Sequence, residues 1–227
     1  IDYPNFSLPD RFDIDDSLIT YPTLDSDYEI YRGQFIGDLP YNSPLPKELL
    51  FEVAIKVGDK ITTDDIIPAG ASMDFRGNIQ KSTEIIFKNL DPQFSETCNR
   101  IRAEDRYFII IAGDSYGQGS SREHAAMCPM AMGVKVVIAK SIERIHHANL
   151  INFGVIPLIF KKDADYEMID KADQLVIKNI YEAIYKSEIE VENISKGKSF
   201  IVQNNLNNRQ IEIILSGGLL NYVTKDN

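Results

Sequence analysis

A chain of 227 residues with 44% hydrophobic and 26% charged side chains can bury roughly 70% of its unfolded surface, which excludes a chain that needs disulfide staples or stays disordered. The net charge of -10 and an isoelectric point near 4.8 make the surface as a whole repel nucleic acid and anionic membrane, so any anion site must be small and locally basic. Cys98 and Cys128 lie outside any C-x-x-C spacing and read as reduced, buried thiols of a reducing compartment.

The opening residues "IDYPNFSLPD" have neither a basic segment nor an apolar one, so no secretory signal is expected, and a start at Ile1 suggests an excised fragment. The longest strongly apolar run, "YFIIIAG", is far shorter than the ~20 residues of a membrane span. A soluble, cytoplasmic protein with no nucleic-acid or membrane partner is the expectation.

Six of the ten prolines fall within the first 46 residues, a composition that sustains neither helix nor central strand, so residues 1–44 are expected to form an extended arm. Its Asp13, Asp15 and Asp16 lack the glycine and distal glutamate of a calcium loop and read as a solvated acidic stretch. From Lys47 the texture changes, and residues 45–227 are expected to form the folded domain. "LLFEVAIKVG" predicts a strand ending at Gly58, and "DKITTDDIIPAGAS" a polar turn running into an apolar stretch. "YFIIIAGD" (107–114) predicts a strand buried on both faces.

A helix is expected over "SREHAAMCPMAM", kinked or ended by Pro129, then a strand over 134–139. A second helix, "IERIHHANLINF", closes on Gly154 before the strand "VIPLIF". In the tail, "QLVI", "SFIVQN" and "RQIEIILS" read as short strands. The order predicts an α/β fold: a partly parallel, mixed sheet or partial barrel packed against helices.

The segment "DSYGQGSSREHAA" (114–126) concentrates the candidate chemistry. It is no dinucleotide fingerprint, because Arg122 stands where the third glycine of G-x-G-x-x-G belongs. Neither Ser120 nor Ser121 has the flanking glycines of a hydrolase elbow, and "GKS" at 197–199 lacks a P-loop's first glycine, being preceded by Glu192. Ser120 and Glu123 do have the spacing of a capping box, which predicts a helix N-terminus whose amides, beside Arg122, suit a carboxylate or phosphate. His124, His146 and His147 share no metal-ligand spacing and read as structural or surface residues.

"VGDKITTDDIIPAG", "MDFRGN", "GDSYGQGSSREHAA" and "VIAKSIERIHHANLINFGVIPLIF" together resemble, in order and spacing, the C-terminal swivelling domain of aconitase over about residues 47–160. The leading "FSLPDRFDID" is similar to the segment preceding that domain. The resemblance implies a swivelling β/β/α domain acting on a tricarboxylate: citrate, isocitrate and cis-aconitate. It implies Ser120 as the base for a carbon-bound proton and Asp64 as an active-site aspartate that orients its neighbours, with Asp65 where the family usually has histidine. Ser121, Arg122 and Arg76 match its substrate-carboxylate contacts, and guanidinium forks suit carboxylates in a way lysine does not.

The family's [4Fe-4S] cluster needs three cysteines. The resemblance therefore implies a cluster held outside this chain, on N-terminal domains or a large subunit, and an isolated chain that is inactive. The small subunit of isopropylmalate isomerase or of a homoaconitase, and a non-catalytic tricarboxylate-binding module, stay open beside aconitate hydratase.

Overall fold

A computed structural model describes residues 11, 14–22, 31–45, 49–72 and 76–224. Asp13, Lys47, residues 1–10 and the first three residues of "MDFRGN" lie outside them. The chain divides into two compact units, Ile1–Arg32 and Gly33–Asn227. In the first, Asp15 accepts from the Ser17 amide at 2.9 Å and the Ile19 amide reaches Asp16 O, a local turn in the acidic stretch.

In the second unit seven strands close on themselves. They are β1 (Leu49–Lys56), β2 (Tyr107–Ala112), β3 (Val134–Ala139), β4 (Ile156–Phe160), β5 (Gln174–Ile177), β6 (Glu188–Asn193) and β7 (Lys198–Gln203), in the barrel order β1-β2-β3-β4-β7-β6-β5. β1 to β4 pair in parallel, and the remaining contacts are antiparallel. The expected partial barrel is thus a complete one, which leaves no edge strand exposed.

Parallel neighbours require long crossovers. These carry α4 (Phe94–Ala103), α5 (His124–Met132) and α6 (Arg144–Asn152). Three short helical turns, α1 (Thr63–Ile66), α2 (Ala69–Ser72) and α3 (Ile79–Ser82), precede α4. Two apolar layers result. Alternate residues of all seven strands, among them Phe51, Ile109, Ile138, Leu158, Leu175, Val191 and Val202, form one cluster, which only the lumen of a closed barrel can provide. The opposite faces of β2 and β3, with Phe108, Ile110 and Val137, join Phe94, Cys98, Ala125, Cys128 and Leu150 of the helices. That double burial is why 107–112 and 134–139 read as unbroken apolar runs, whereas β6 alternates buried with exposed.

Two polar residues set inside this framework are compensated. Glu52, 4% exposed, receives Arg100 and, at 2.7 Å, Arg106. Lys135, also 4% exposed, donates to Asn42 Oδ1 at 2.5 Å, Ser43 O at 2.9 Å and Ser43 Oγ at 3.1 Å. With no carboxylate beside it, burial pushes its ammonium down to about 8. Asn42 in turn donates to Phe153 O, so the segment leading into β1 is fastened to β3 and to the end of α6.

The structure corrects three expectations about the elements. "RQIEIILS" is not a strand but most of α8 (Asn208–Leu215), opened by a reciprocal cap between Asn207 and Gln210 and followed by α9 (Leu219–Thr224). Its isoleucines suit a strand by propensity, yet Ile211 and Ile214 fall on one helical face and are buried. Pro129 lies inside α5, which runs on to Met132 before Gly133 turns left-handed. Finally, α5 starts at His124 with Glu123 as its N-cap and no side-chain cap, so the Ser120–Glu123 capping box does not form. Among the described residues no helix is long and apolar enough to cross a membrane.

The lumen is the stability-determining layer. Leu158→Ala is expected to cost about 2–5 kcal/mol in urea unfolding, while Leu90→Ala, at a site 46% exposed, should stay within about 0.5 kcal/mol.

Candidate active site

β1 and β2 are parallel neighbours, so the loops leaving their C-terminal ends emerge side by side, where open α/β sheets place their ligands. The two loops are stitched together by main-chain bonds. Gly113 N donates to Val57 O, Lys60 N to Asp114 O, Gly117 N to Ile61 O at 2.8 Å and Thr63 N to Gln118 O at 2.8 Å. The Asp59 carboxylate adds a bond from Asp114 N at 2.8 Å. At Gly117, φ is +82° and a Cβ would stand 2.2 Å from His146 Cγ, so only glycine lets the second loop lie flat over α6.

This stitching brings the two sequence motifs together. The Ser120 hydroxyl lies 3.1 Å from the Thr63 hydroxyl. Arg122 donates through Nη1 to Ile67 O at 2.6 Å and to Asp64 Oδ1 at 3.2 Å. Asp64 also accepts from Ala69 N, and that amide first, then Arg122, holds its carboxyl below the usual range. Asp64 stays 64% exposed at its side chain and Arg122 22%. Among the described residues Arg122 bonds to the protein through Nη1 alone.

Arg76 is exposed on the loop before α3, and its carbonyl meets His124 Nε2 at 3.0 Å, which joins that loop to the start of α5. Ser121 is exposed and its carbonyl accepts from Asn149 of α6 at 3.5 Å. Side-chain bonds thus join Ser120 to Thr63 and Arg122 to Asp64, whereas Arg76 and Ser121 are tied to the helices through their carbonyls. Ser120 and Ser121 sit in the loop ahead of α5, not at its N-terminus, so the expected convergence of helix amides on them is corrected.

Asp65, where the family usually has histidine, serves locally. Its carboxylate accepts from Thr62 N at 2.8 Å and Thr62 Oγ1 at 2.6 Å, and closes the cap of α1. Two residues escaped sequence reasoning. One is Thr63, 3% exposed; nothing local marks a threonine whose partner lies 57 positions away. The other is Ser115, since "GDSYG" (113–117) has the elbow spacing that Ser120 and Ser121 lack. Ser115 even has φ of +58°, but its hydroxyl donates to Glu143 and no helix begins behind it. It ties the loop after β2 to that after β3.

Cys98 and Cys128 are both buried. Burial pushes their thiols up, Cys128 to about 12, and among the described residues no three His, Cys, Asp or Glu side chains gather to hold a metal. Two protonated, buried thiols do not fit a [4Fe-4S] cluster.

Residues 68–163 match the family model described as the aconitase C-terminal domain. The mitochondrial homocitrate dehydratase of Saccharomyces cerevisiae is 32% identical across 81% of this chain and 26% of that protein. A putative mitochondrial aconitate hydratase of Emericella nidulans is 30% identical with the same coverage. Among solved structures, 3-isopropylmalate dehydratase from Methanocaldococcus jannaschii aligns with a TM-score of 0.63 and 28% identity, over 79% of this chain and 95% of that one. The chain therefore spans about a quarter of the length of these curated relatives. Their names overturn one expectation: both are mitochondrial proteins, so the cytoplasmic assignment does not stand.

His146 packs under Gly117, and its two ring nitrogens have no hydrogen-bond partner among the described residues. Burial first, then the neighbouring His147, lowers it from 6.5 to about 4. Between those values the unfolded chain takes a proton that the folded chain refuses, so stability should fall as pH drops from about 6.5 to about 4, by at most about 3 kcal/mol. His146→Leu should lose less melting temperature between pH 7 and pH 4.5 than the parent in paired calorimetric scans.

Proposed function

Because this chain carries an aconitase C-terminal domain, we propose that it supplies the proton-transfer and carboxylate-clamping half of an aconitate hydratase site that interconverts citrate and isocitrate through cis-aconitate. The supporting observation is the meeting of the two motif loops, which sets Asp64 on Arg122 and Thr63 on Ser120 across more than fifty residues of sequence. In this reading residues 45–227 are the swivelling domain. Residues 1–44 are the arm that joins it to cluster-bearing N-terminal domains, or to a large subunit.

Ser120 Oγ takes the proton from substrate carbon, and the C–H electron pair becomes the new carbon–carbon double bond as the hydroxyl departs from the adjacent carbon. The departing hydroxyl is received by chemistry that this chain's residues do not supply. An alkoxide is a strong base only at a high energetic cost, so Ser120 needs donors fixed in advance around its oxygen. Asp64 and Ile67 O fix the guanidinium of Arg122, whose remaining edge pairs with one substrate carboxylate, while the exposed Arg76 closes on another. A second reading shares this chemistry with a longer acid. The similarity to homocitrate dehydratase supports homocitrate as that alternative substrate.

In the complete enzyme, Ser120→Ala is expected to lower kcat by about 1,000-fold or more with little change in KM. Arg76→Lys should chiefly raise KM. Citrate and homocitrate turnover compared side by side assign the acid. Full activity in the Ser120 variant, or hydratase activity in the isolated chain, would overturn the proposal.

A further inference from the structure

We infer that Thr63 is the positioning residue of Ser120, its hydroxyl donating to Ser120 Oγ whenever that oxygen carries negative charge. The inference rests on Ser120 being the base, and it names what makes that base usable.

The two hydroxyls lie 3.1 Å apart, with either able to donate. Their settings differ. Ser120 is exposed on its loop, and in water alone its hydroxyl would turn freely. Thr63 is 3% exposed and fixed at both ends of its peptide unit: its N–H is held by Gln118 O at 2.8 Å and its C=O by Ile67 N at 3.0 Å. A branched Cβ narrows its χ1 choices further. A buried hydroxyl needs a partner, and Ser120 Oγ is the partner here. Gly119, at φ +106°, carries the chain over Thr63, where an added Cβ would come no closer than 3.8 Å to Thr63 Oγ1.

The proton accounting follows. While Ser120 is an oxyanion, Thr63 keeps its own proton and points it at Ser120 Oγ. Once Ser120 has taken the substrate proton, it is a neutral hydroxyl, and the pair can reverse donor and acceptor without either oxygen losing a proton to the other. Thr63 therefore never becomes the base. It stabilises the charged state of the residue that is.

The test uses the complete enzyme with Thr63→Val, which keeps shape and removes the hydroxyl, Thr63→Ser, which keeps the hydroxyl, and Ser120→Ala. Thr63→Val is expected to lower kcat by about 100-fold, as losing one oxyanion donor does, with KM within about twofold, and to move the acidic limb of the kcat profile to higher pH. Thr63→Ser should recover most of the rate and the parent pH profile. Should Thr63→Val fail to fold by circular dichroism, Thr63→Ala against Thr63→Ser carries the same comparison. A hydroxyl-free variant with parent kcat and pH profile overturns the inference, as does a Thr63→Ser variant equally impaired with its pH limb unmoved. If Ser120→Ala keeps full activity, the reading of Ser120 itself fails, separately from any result at Thr63.

Discussion

Two main-chain hydrogen bonds, from Gly117 to Ile61 and from Thr63 to Gln118, hold the loop leaving β1 against the loop leaving β2, and the candidate site depends on them. They exist because β1 and β2 are parallel neighbours, so both loops start from the same rim of the barrel. Side chains add to that seam without making it. Asp59 adds a bond across it, Ser115 ties the second loop on to the one after β3, and the buried ring of His146, edge-on to Tyr116 at 5.1 Å, fills the space that a side chain at position 117 would need. The seam places the Ser120 hydroxyl against Thr63 and the Arg122 guanidinium against Asp64.

Much of this was legible in the sequence, and the failures have physical causes. Strands buried on both faces announce themselves as apolar runs, so β2 and β3 were plain, while Asp64, Arg76, Ser120, Ser121 and Arg122 were named through the family resemblance and stand as proposals. The tail misled because isoleucine favours strands by propensity, while Asn207 and Gln210 carried a helix-start signal that weighs little beside three isoleucines. The "SSRE" spacing misled in the opposite direction. It satisfies the pattern of a cap, yet Ser120 turns to Thr63, and the helix begins at His124. The pairing of Thr63 with Ser120 could not be read at all, since it depends on which strands become neighbours.

A chain of net charge -10 repels anions at long range, so in the proposed reading a tricarboxylate is held by short-range, bidentate contacts whose geometry outweighs the overall field. Arg122 is already oriented by the protein, while Arg76 is exposed on its loop. In the proposed reading, one guanidinium defines a direction of approach and the other meets the far end of the acid.

The buried ammonium of Lys135 bears on where this unit can be separated from what precedes it. All three of its acceptor atoms belong to Asn42 and Ser43, and Asn42 also grips the turn after α6. A polypeptide cut after those residues would leave an uncompensated cation in the barrel wall. Cleavage by a protease anywhere up to Tyr41 would leave the wall intact. The barrel wall thus draws part of its polar pairing from a stretch that by composition reads as an extended arm.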